Sequence, residues 1–157
     1  MITQKRIHQA NGEFQHQVAL MDWAKLNEAK YPELKWLFAI PNGGHRSKAA
    51  AGKAKAEGVK AGVFDLCLPV PRYHWTSLWI ELKYGKNKLT PEQKEFKEFI
   101  EGQGGLCIVC YDWQVAAKEI VEYLRSPIIK GETYGQVQEK TSSDRGNAVV
   151  EERRPST

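Results

Sequence analysis

The chain has 157 residues, 41% apolar and 27% charged, an ordinary globular composition with length for one domain, a sizeable core and a tail. No run approaches the ~18 apolar residues of a membrane span, so membrane-spanning function classes are set aside. A formal net charge of +4 and a sequence pI of about 8.9 permit an anionic partner without demanding one.

Residues 1–12 read as a polar N-terminal arm, with no charged-then-apolar targeting pattern. From Glu13 to about Lys30 the periodicity is helical. Phe14, Val18 and Met21 form one stripe, and Gln17, Leu20 and Ala24 the next. Asn11-Gly12 could cap the start, and Tyr31-Pro32 stops the helix. Glu13 alone is accounted for as a first-turn acid complementing the helix dipole. A short strand is expected over Trp36–Ile40, followed by the turn-rich Pro41-Asn42-Gly43-Gly44-His45-Arg46. Ser47 can cap a basic, alanine-rich helix from Lys48 to Glu57, closed by Gly58. Between Asn42 and Lys60 stand five cations (Arg46, Lys48, Lys53, Lys55, Lys60) and one acid, Glu57. That excess suits a phosphate backbone, or is a solvated helix face.

A strand carrying Asp65 follows over Val63–Leu68 and ends at Pro69-Val70-Pro71. A hairpin connection over 71–77 includes Tyr73, His74 and Trp75, which could stack on bases, lie at an interface or pack on the core. The next strand alternates Leu78, Ile80 and Leu82 with Trp79, Glu81 and Lys83. Period two puts Glu81 and Lys83 on one face, about 7 Å apart. Thr90-Pro91-Glu92-Gln93 starts a helix as N-cap, N1 proline and capping box. Gln93 falls on the same stripe as Phe96 and Ile100, so it is either the capping partner or a group aimed inward at a site. A strand over Leu106–Tyr111 precedes a helix capped by Asp112, Val115 to Leu124, with Ile120 and Leu124 inward.

The odd cysteine count points to free thiols in a reducing compartment. Cys107-x-x-Cys110 lies within an apolar strand, where residues three apart face opposite ways, so small core residues fit better than half a zinc site. The order α-β-α-β-β-α-β-α predicts one α/β domain over residues 13–124, a mixed central sheet with helices on both faces. Residues 125–157, with six basic and five acidic side chains and little periodicity, read as a flexible tail.

Cleaving a phosphodiester needs an activated water and neutralised charge, which a divalent cation can supply. Mg²⁺ takes oxygen ligands and keeps several waters, so Asp65, Glu81 and the Leu82 carbonyl would suffice, with Lys83 beside the attacking water. Taken alone, Glu81-x-Lys83 is as well explained as a polar pair solubilising a strand face.

The wider pattern resembles the VRR-NUC (virus-type replication-repair nuclease) branch of the PD-(D/E)xK nucleases. The resemblance is carried by Glu13 and Gln17, the loop Ile40 to Arg46, Lys60 to Asp65, Ile80 to Lys83, and Thr90 to Gln93. Phe64 departs from it, standing where the family usually has proline. The resemblance implies a restriction-endonuclease-like core and Mg²⁺ or Mn²⁺ at Asp65, Glu81 and the Leu82 carbonyl. It further implies a catalytic Lys83 and supporting roles for Gln93 and for Glu13, the latter through metal-bound water. Asn42, Gly43, Arg46, Lys48, Lys53, Lys55 and Lys60 would approach the nucleic acid. Stand-alone phage or bacterial members are similar to homodimeric enzymes that resolve four-way (Holliday) junctions. That implies branched DNA as partner and a cytoplasmic site of action, in a bacterium or a phage-infected host. The alternatives are a flap or single-strand nuclease of the same family, a non-catalytic nucleic-acid-binding module, and a purely structural domain.

Overall fold

The computed structural model describes residues 12–41 and 48–128, the side chains of Lys48, Ala49 and Ala51 excepted. Asn42, Gly43, Arg46 and Ser47 therefore lie outside the described residues, as do Asn11, nearly all of the expected N-terminal arm and the expected tail from residue 129 onward.

Among the described residues nine elements follow in chain order: α1 (Glu13–Asn27), a 3-10 turn (Pro32–Trp36), β1 (Phe38–Ala39), α2 (Lys48–Ala56), β2 (Leu66–Leu68), β3 (Leu78–Leu82), α3 (Pro91–Gly102), β4 (Leu106–Cys110) and α4 (Trp113–Arg125). The four strands form one mixed sheet in the order β1-β2-β3-β4. The pairs β1–β2 and β2–β3 are antiparallel, and β3–β4 is parallel. A parallel pair needs a crossover, which α3 supplies. The expected α/β architecture is thus observed, with the 3-10 turn as an addition. Trp36, expected in a strand, belongs to that turn because Pro32 at its start favours a tight helical entry.

Strand pleat decides what faces what. Leu66, Leu68, Leu78, Ile80 and Leu82 share one face and pack with Ala19, Leu20 and Ala24 of α1 and Ala116, Ile120 and Leu124 of α4. Each fully buried aliphatic side chain there contributes ~1.5–3 kcal/mol relative to exposure. On the opposite face Trp79 meets Phe96 of α3 with ring centroids 5.2 Å apart, and Phe96 meets Phe64 at 5.5 Å. Helices therefore cover both faces, and α3 packs on the face that carries Glu81.

Of the two expected α1 stripes, the second supplies the buried Leu20 and Ala24, and the first supplies no buried residue. His16, Ala19, Leu20 and Ala24 are buried, while Phe14 is 73% exposed. The small Ala19 and Ala24 let α1 approach α4 closely, which Phe14 on that side would prevent. The helix also ends at Asn27, before Pro32, and no side chain caps its start at Gly12.

Other sequence expectations hold. Gly58, at φ 93°, closes α2: its N–H donates to Lys55 O and the Val59 N–H to Ala54 O, the paired bonds of a Schellman end. Asp112 caps α4 by accepting the Gln114 N–H, with the helix beginning two residues before the expected Val115. Residues 71–77 form the expected connection, tightened by two mutual backbone bonds between Arg72 and Trp75. Cys107 and Cys110 face opposite sides of β4. Both are buried, as is Cys67, and burial pushes the three thiols up to about 12, 11 and 11 respectively.

Candidate active site

Three chain features converge at the C-terminal end of β3. The register Leu66↔Ile80 places Asp65, one residue before β2, opposite Glu81, so both carboxylates point to the α3 face. The β1–β2 pairing extends to this position, since the Ile40 N–H donates to Asp65 O at 2.7 Å. Lys83, two residues beyond Glu81, shares its face, and its own N–H continues the parallel ladder to Cys110 O. The third feature is the first turn of α3, which lays Gln93 over the strand.

Glu81 is 2% and Lys83 7% exposed. A polar pair placed on a strand for solubility would face water, so that account of Glu81-x-Lys83 does not hold. Lys83 Nζ lies 2.7 Å from Glu81 Oε1, and Gln93 Nε2 donates to the same oxygen at 2.5 Å. Glu81 Oε2 is buried with no partner; among the described residues only Asp22 Oδ2 shares that condition. An unsatisfied buried oxygen on a charged group is costly and calls for an explanation in what the site binds.

Gln93 settles the choice left open by its spacing, because it does both jobs. Its Oε1 accepts the Thr90 N–H at 3.0 Å while the Thr90 hydroxyl accepts the Gln93 N–H at 3.2 Å. With Oε1 committed to the helix cap, only the amide Nε2 is left to reach Glu81. The capping box thus fixes the amide's orientation as well as the helix start.

Asp65 is held differently. Its Oδ2 accepts the Leu82 N–H at 2.9 Å, a side chain standing in for a ladder bond. Phe64, at the family's usual proline position, is fully buried against Phe96. Its ring wedges beneath α3 and leaves the Asp65 carboxylate bonded to β3. Gly62 brings α3 down onto this segment: at φ 85°, a Cβ there would lie 2.6 Å from the Glu92 backbone.

Electrostatics point the same way. Burial raises the Asp65 carboxyl above its ordinary value; the Leu82 N–H and Lys83 oppose that, and the Glu13 charge adds to it. Burial likewise raises Glu81. Lys83 and Gln93 oppose the rise, and the Asp65 charge reinforces it. Burial is thus the main cause at both carboxyls, and Lys83 opposes it at each more strongly than the neighbouring acid adds to it. Two carboxylates, both partly desolvated, form a hard oxygen-donor set. Among the described residues no group of three or more His, Cys, Asp or Glu side chains is gathered closely enough to chelate a metal, so Glu13 does not complete such a group.

The remaining sequence-expected residues stand apart. Lys53, Lys55 and Lys60 are exposed, with Lys53 3.8 Å from Glu57. Lys60 borders a depression of about 390 Å³ beside α3, lined also by Val63, Glu92, Phe96 and Phe99 and containing none of Asp65, Glu81, Lys83 or Gln93. The Lys48 side chain is outside the described residues. Sequence reasoning missed Asn87, whose Nδ2 donates to Glu13 Oε1 at 3.0 Å, and Tyr111, whose hydroxyl donates to Asn87 O at 2.9 Å. Nothing in the polar stretch Gly85-Lys86-Asn87-Lys88 marks one residue above its neighbours.

A mixed sheet with opposed carboxylates on antiparallel neighbours and a lysine two residues on defines an α/β nuclease-type core of the restriction-endonuclease kind. Comparison with known proteins names the family: the VRR-NUC domain model matches residues 9–113. The chain belongs to the VRR-NUC domain family, nucleases of the PD-(D/E)xK type. A solved structure described as a VRR-NUC domain protein is similar, at 28% identity and a TM-score of 0.62, over 74% of this chain and 91% of that one. No curated protein matches the chain. No described helix is long and apolar enough to cross a membrane.

Proposed function

We propose that this chain is a Mg²⁺- or Mn²⁺-dependent DNA endonuclease that holds its metal with Asp65, Glu81 and the Leu82 carbonyl. The observation that carries this is the buried Glu81 carboxylate: one oxygen takes Lys83 and Gln93, and the other is left unpartnered beside Asp65. A divalent cation bound there supplies charge neutralisation at the phosphate and a water activated for attack.

The protein groups have distinct tasks. Gln93 and Lys83 hold Glu81 Oε1, which turns Oε2 toward the open position. The Leu82 N–H holds one Asp65 oxygen and so restricts the carboxylate's rotation. Lys83 stands where it can orient the attacking water and stabilise developing negative charge on the phosphate. The exposed Lys53, Lys55 and Lys60, with Asn42, Gly43, Arg46 and Lys48, contact the phosphate backbone and make binding salt-dependent.

The substrate is branched DNA, a four-way junction cut by a homodimer with two-fold-related sites, and the site of action is the cytoplasm of a bacterial or phage-infected cell. Support for the junction is the resemblance to stand-alone members of the family. Incubating the chain with labelled four-way junction, 5′-flap, single-stranded and linear duplex substrates tests this. Paired symmetric cuts in the junction, dependent on added Mg²⁺ or Mn²⁺, are expected. Cutting confined to flaps or single strands would move the substrate to those structures, and binding without a metal-dependent product would make the chain a binding module.

A further inference from the structure

The loop between β3 and α3 runs from Lys83 to Thr90, so both of its ends belong to the site. Between them it fastens onto α1 at two points. The Tyr84 ring lies 6.0 Å, centroid to centroid, from that of His16, and Asn87 Nδ2 donates to Glu13 Oε1 at 3.0 Å. The loop is itself braced. The Asn87 N–H donates to Tyr84 O at 3.2 Å, and the Tyr111 hydroxyl, just past β4, donates to Asn87 O at 2.9 Å. His16 accepts the Trp113 N–H through Nδ1 at 3.3 Å, tying the same turn of α1 to the start of α4. Asn87 is thus held through its backbone by two partners and spends its side chain on one carboxylate.

That carboxylate would otherwise be poorly ordered. Glu13 sits in the first turn of α1, where no side chain caps the helix, and a glutamate loses considerable rotamer freedom when fixed. Yet its charge reaches the Asp65 carboxyl. A neutral amide suits this task. It restrains one Glu13 oxygen without cancelling the charge, whereas the exposed Lys86 and Lys88 on either side of Asn87 would cancel it.

We propose that Asn87 is a positioning residue: anchored by Tyr111, it holds the Glu13 carboxylate on the side of Asp65, where it serves the water shell of a bound divalent cation. This rests on the metal-site reading above. Outer partners of this kind typically account for about tenfold or more in metal affinity.

Isothermal titration of the full chain with MnCl₂ alone, without DNA, tests it. Asn87→Ala is expected to weaken Mn²⁺ binding by about tenfold, and Glu13→Gln to weaken it to a similar extent. The double variant should bind no more weakly than Glu13→Gln alone, because the two residues act through one contact. In cleavage, the Asn87→Ala deficit should disappear at raised Mn²⁺ with KM for DNA unchanged, which a merely structural role would not produce. Unchanged Mn²⁺ affinity in Asn87→Ala, or fully additive losses in the double variant, would overturn the proposal. Asp65→Asn separates the two levels. If it abolishes Mn²⁺ binding while Asn87→Ala does not weaken it, the Asn87 role alone fails. If Asp65→Asn also leaves binding intact, the metal site fails and the Asn87 role with it.

Discussion

Asp65 and Glu81 are held in a state that free carboxylates avoid. Both are raised above their ordinary values, chiefly by burial, with the Asp65 charge adding to Glu81 and the Glu13 charge adding to Asp65. A raised acid contributes stability that is present in full below its unfolded value, near 4, and is lost as pH rises through the folded value. Metal-free protein should therefore lose stability relative to an Asp65→Asn variant as pH rises from about 4 toward neutrality. The asparagine can keep accepting the Leu82 N–H while removing the charge. At pH 7 with chelator present, the variant's Tm is expected to be higher by roughly 2–4 °C, the equivalent of about 1 kcal/mol at this size. Millimolar Mg²⁺ or Mn²⁺ should raise the wild-type Tm and leave the variant's where it was. Melting curves that superimpose at every pH would show that the site stores no such repulsion. Function maintained against stability in this way is a common feature of active sites.

Among the elements, α3 does the most to make the site. It covers the polar face of β3, orients Gln93 through its cap, and is brought close to β2 by Gly62. Thr90→Ala should cost about 1 kcal/mol of stability. It should also lower cleavage more than that loss explains, because Gln93 Oε1 is no longer matched by a reciprocal cap. Rescue of folding but not of rate by a stabilising osmolyte would separate the two effects. Gly62→Ala meets both a positive φ and the Glu92 backbone, and is expected to lower Tm by more than Thr90→Ala does; an unchanged Tm would mean that α3 can lift away without penalty.

How much of this was legible follows from which forces act locally. The Thr90-Pro91-Glu92-Gln93 start, the Asp112 cap and the Gly58 stop are decided within a few residues, and each is found where the sequence places it. The pairing of Asp65 with Glu81 was legible only because two strands of period two, joined by a connection, constrain the register. Which of the two α1 stripes is buried was not, because Phe14 and Val18 satisfy a helical period as well as Leu20 and Ala24 do. What selects between them is the close approach of α4, a tertiary fact. Asn87 was invisible for the same reason: its value lies in Glu13, 74 residues away. Arg72 is a third case. It is buried, bonded to Leu124 O, Pro71 O and Glu33, yet nothing in the connection 71–77 singles it out in sequence.

For the molecule as a whole, two helices on one face of the sheet and one on the other leave three cysteines sealed within it. Cys67 and Cys107 both lie opposite Trp79 on its two neighbouring strands, on the α3 face, and Cys110 lies in the main core. With thiols pushed up to about 11, 12 and 11, little thiolate exists at neutral pH. A thiol reagent should therefore label native protein at least about a hundredfold more slowly than denatured protein, through opening of the fold. Rapid stoichiometric labelling of Cys107 under native conditions would mean that α3 does not seal its face.

The family, the fold and the buried carboxylate pair converge on one reaction, and single-residue chemistry at that pair decides it. A four-way junction incubated with wild-type chain, Asp65→Asn and Lys83→Met, each confirmed folded, and with Mg²⁺, Mn²⁺ or chelator, is the measurement. Cleavage by the wild type only with added metal is expected, with a loss of at least about a hundredfold in either variant, the scale of removing one group that stabilises transition-state charge. Cleavage that persists in chelator, or full activity in Asp65→Asn, would contradict the assignment of this site.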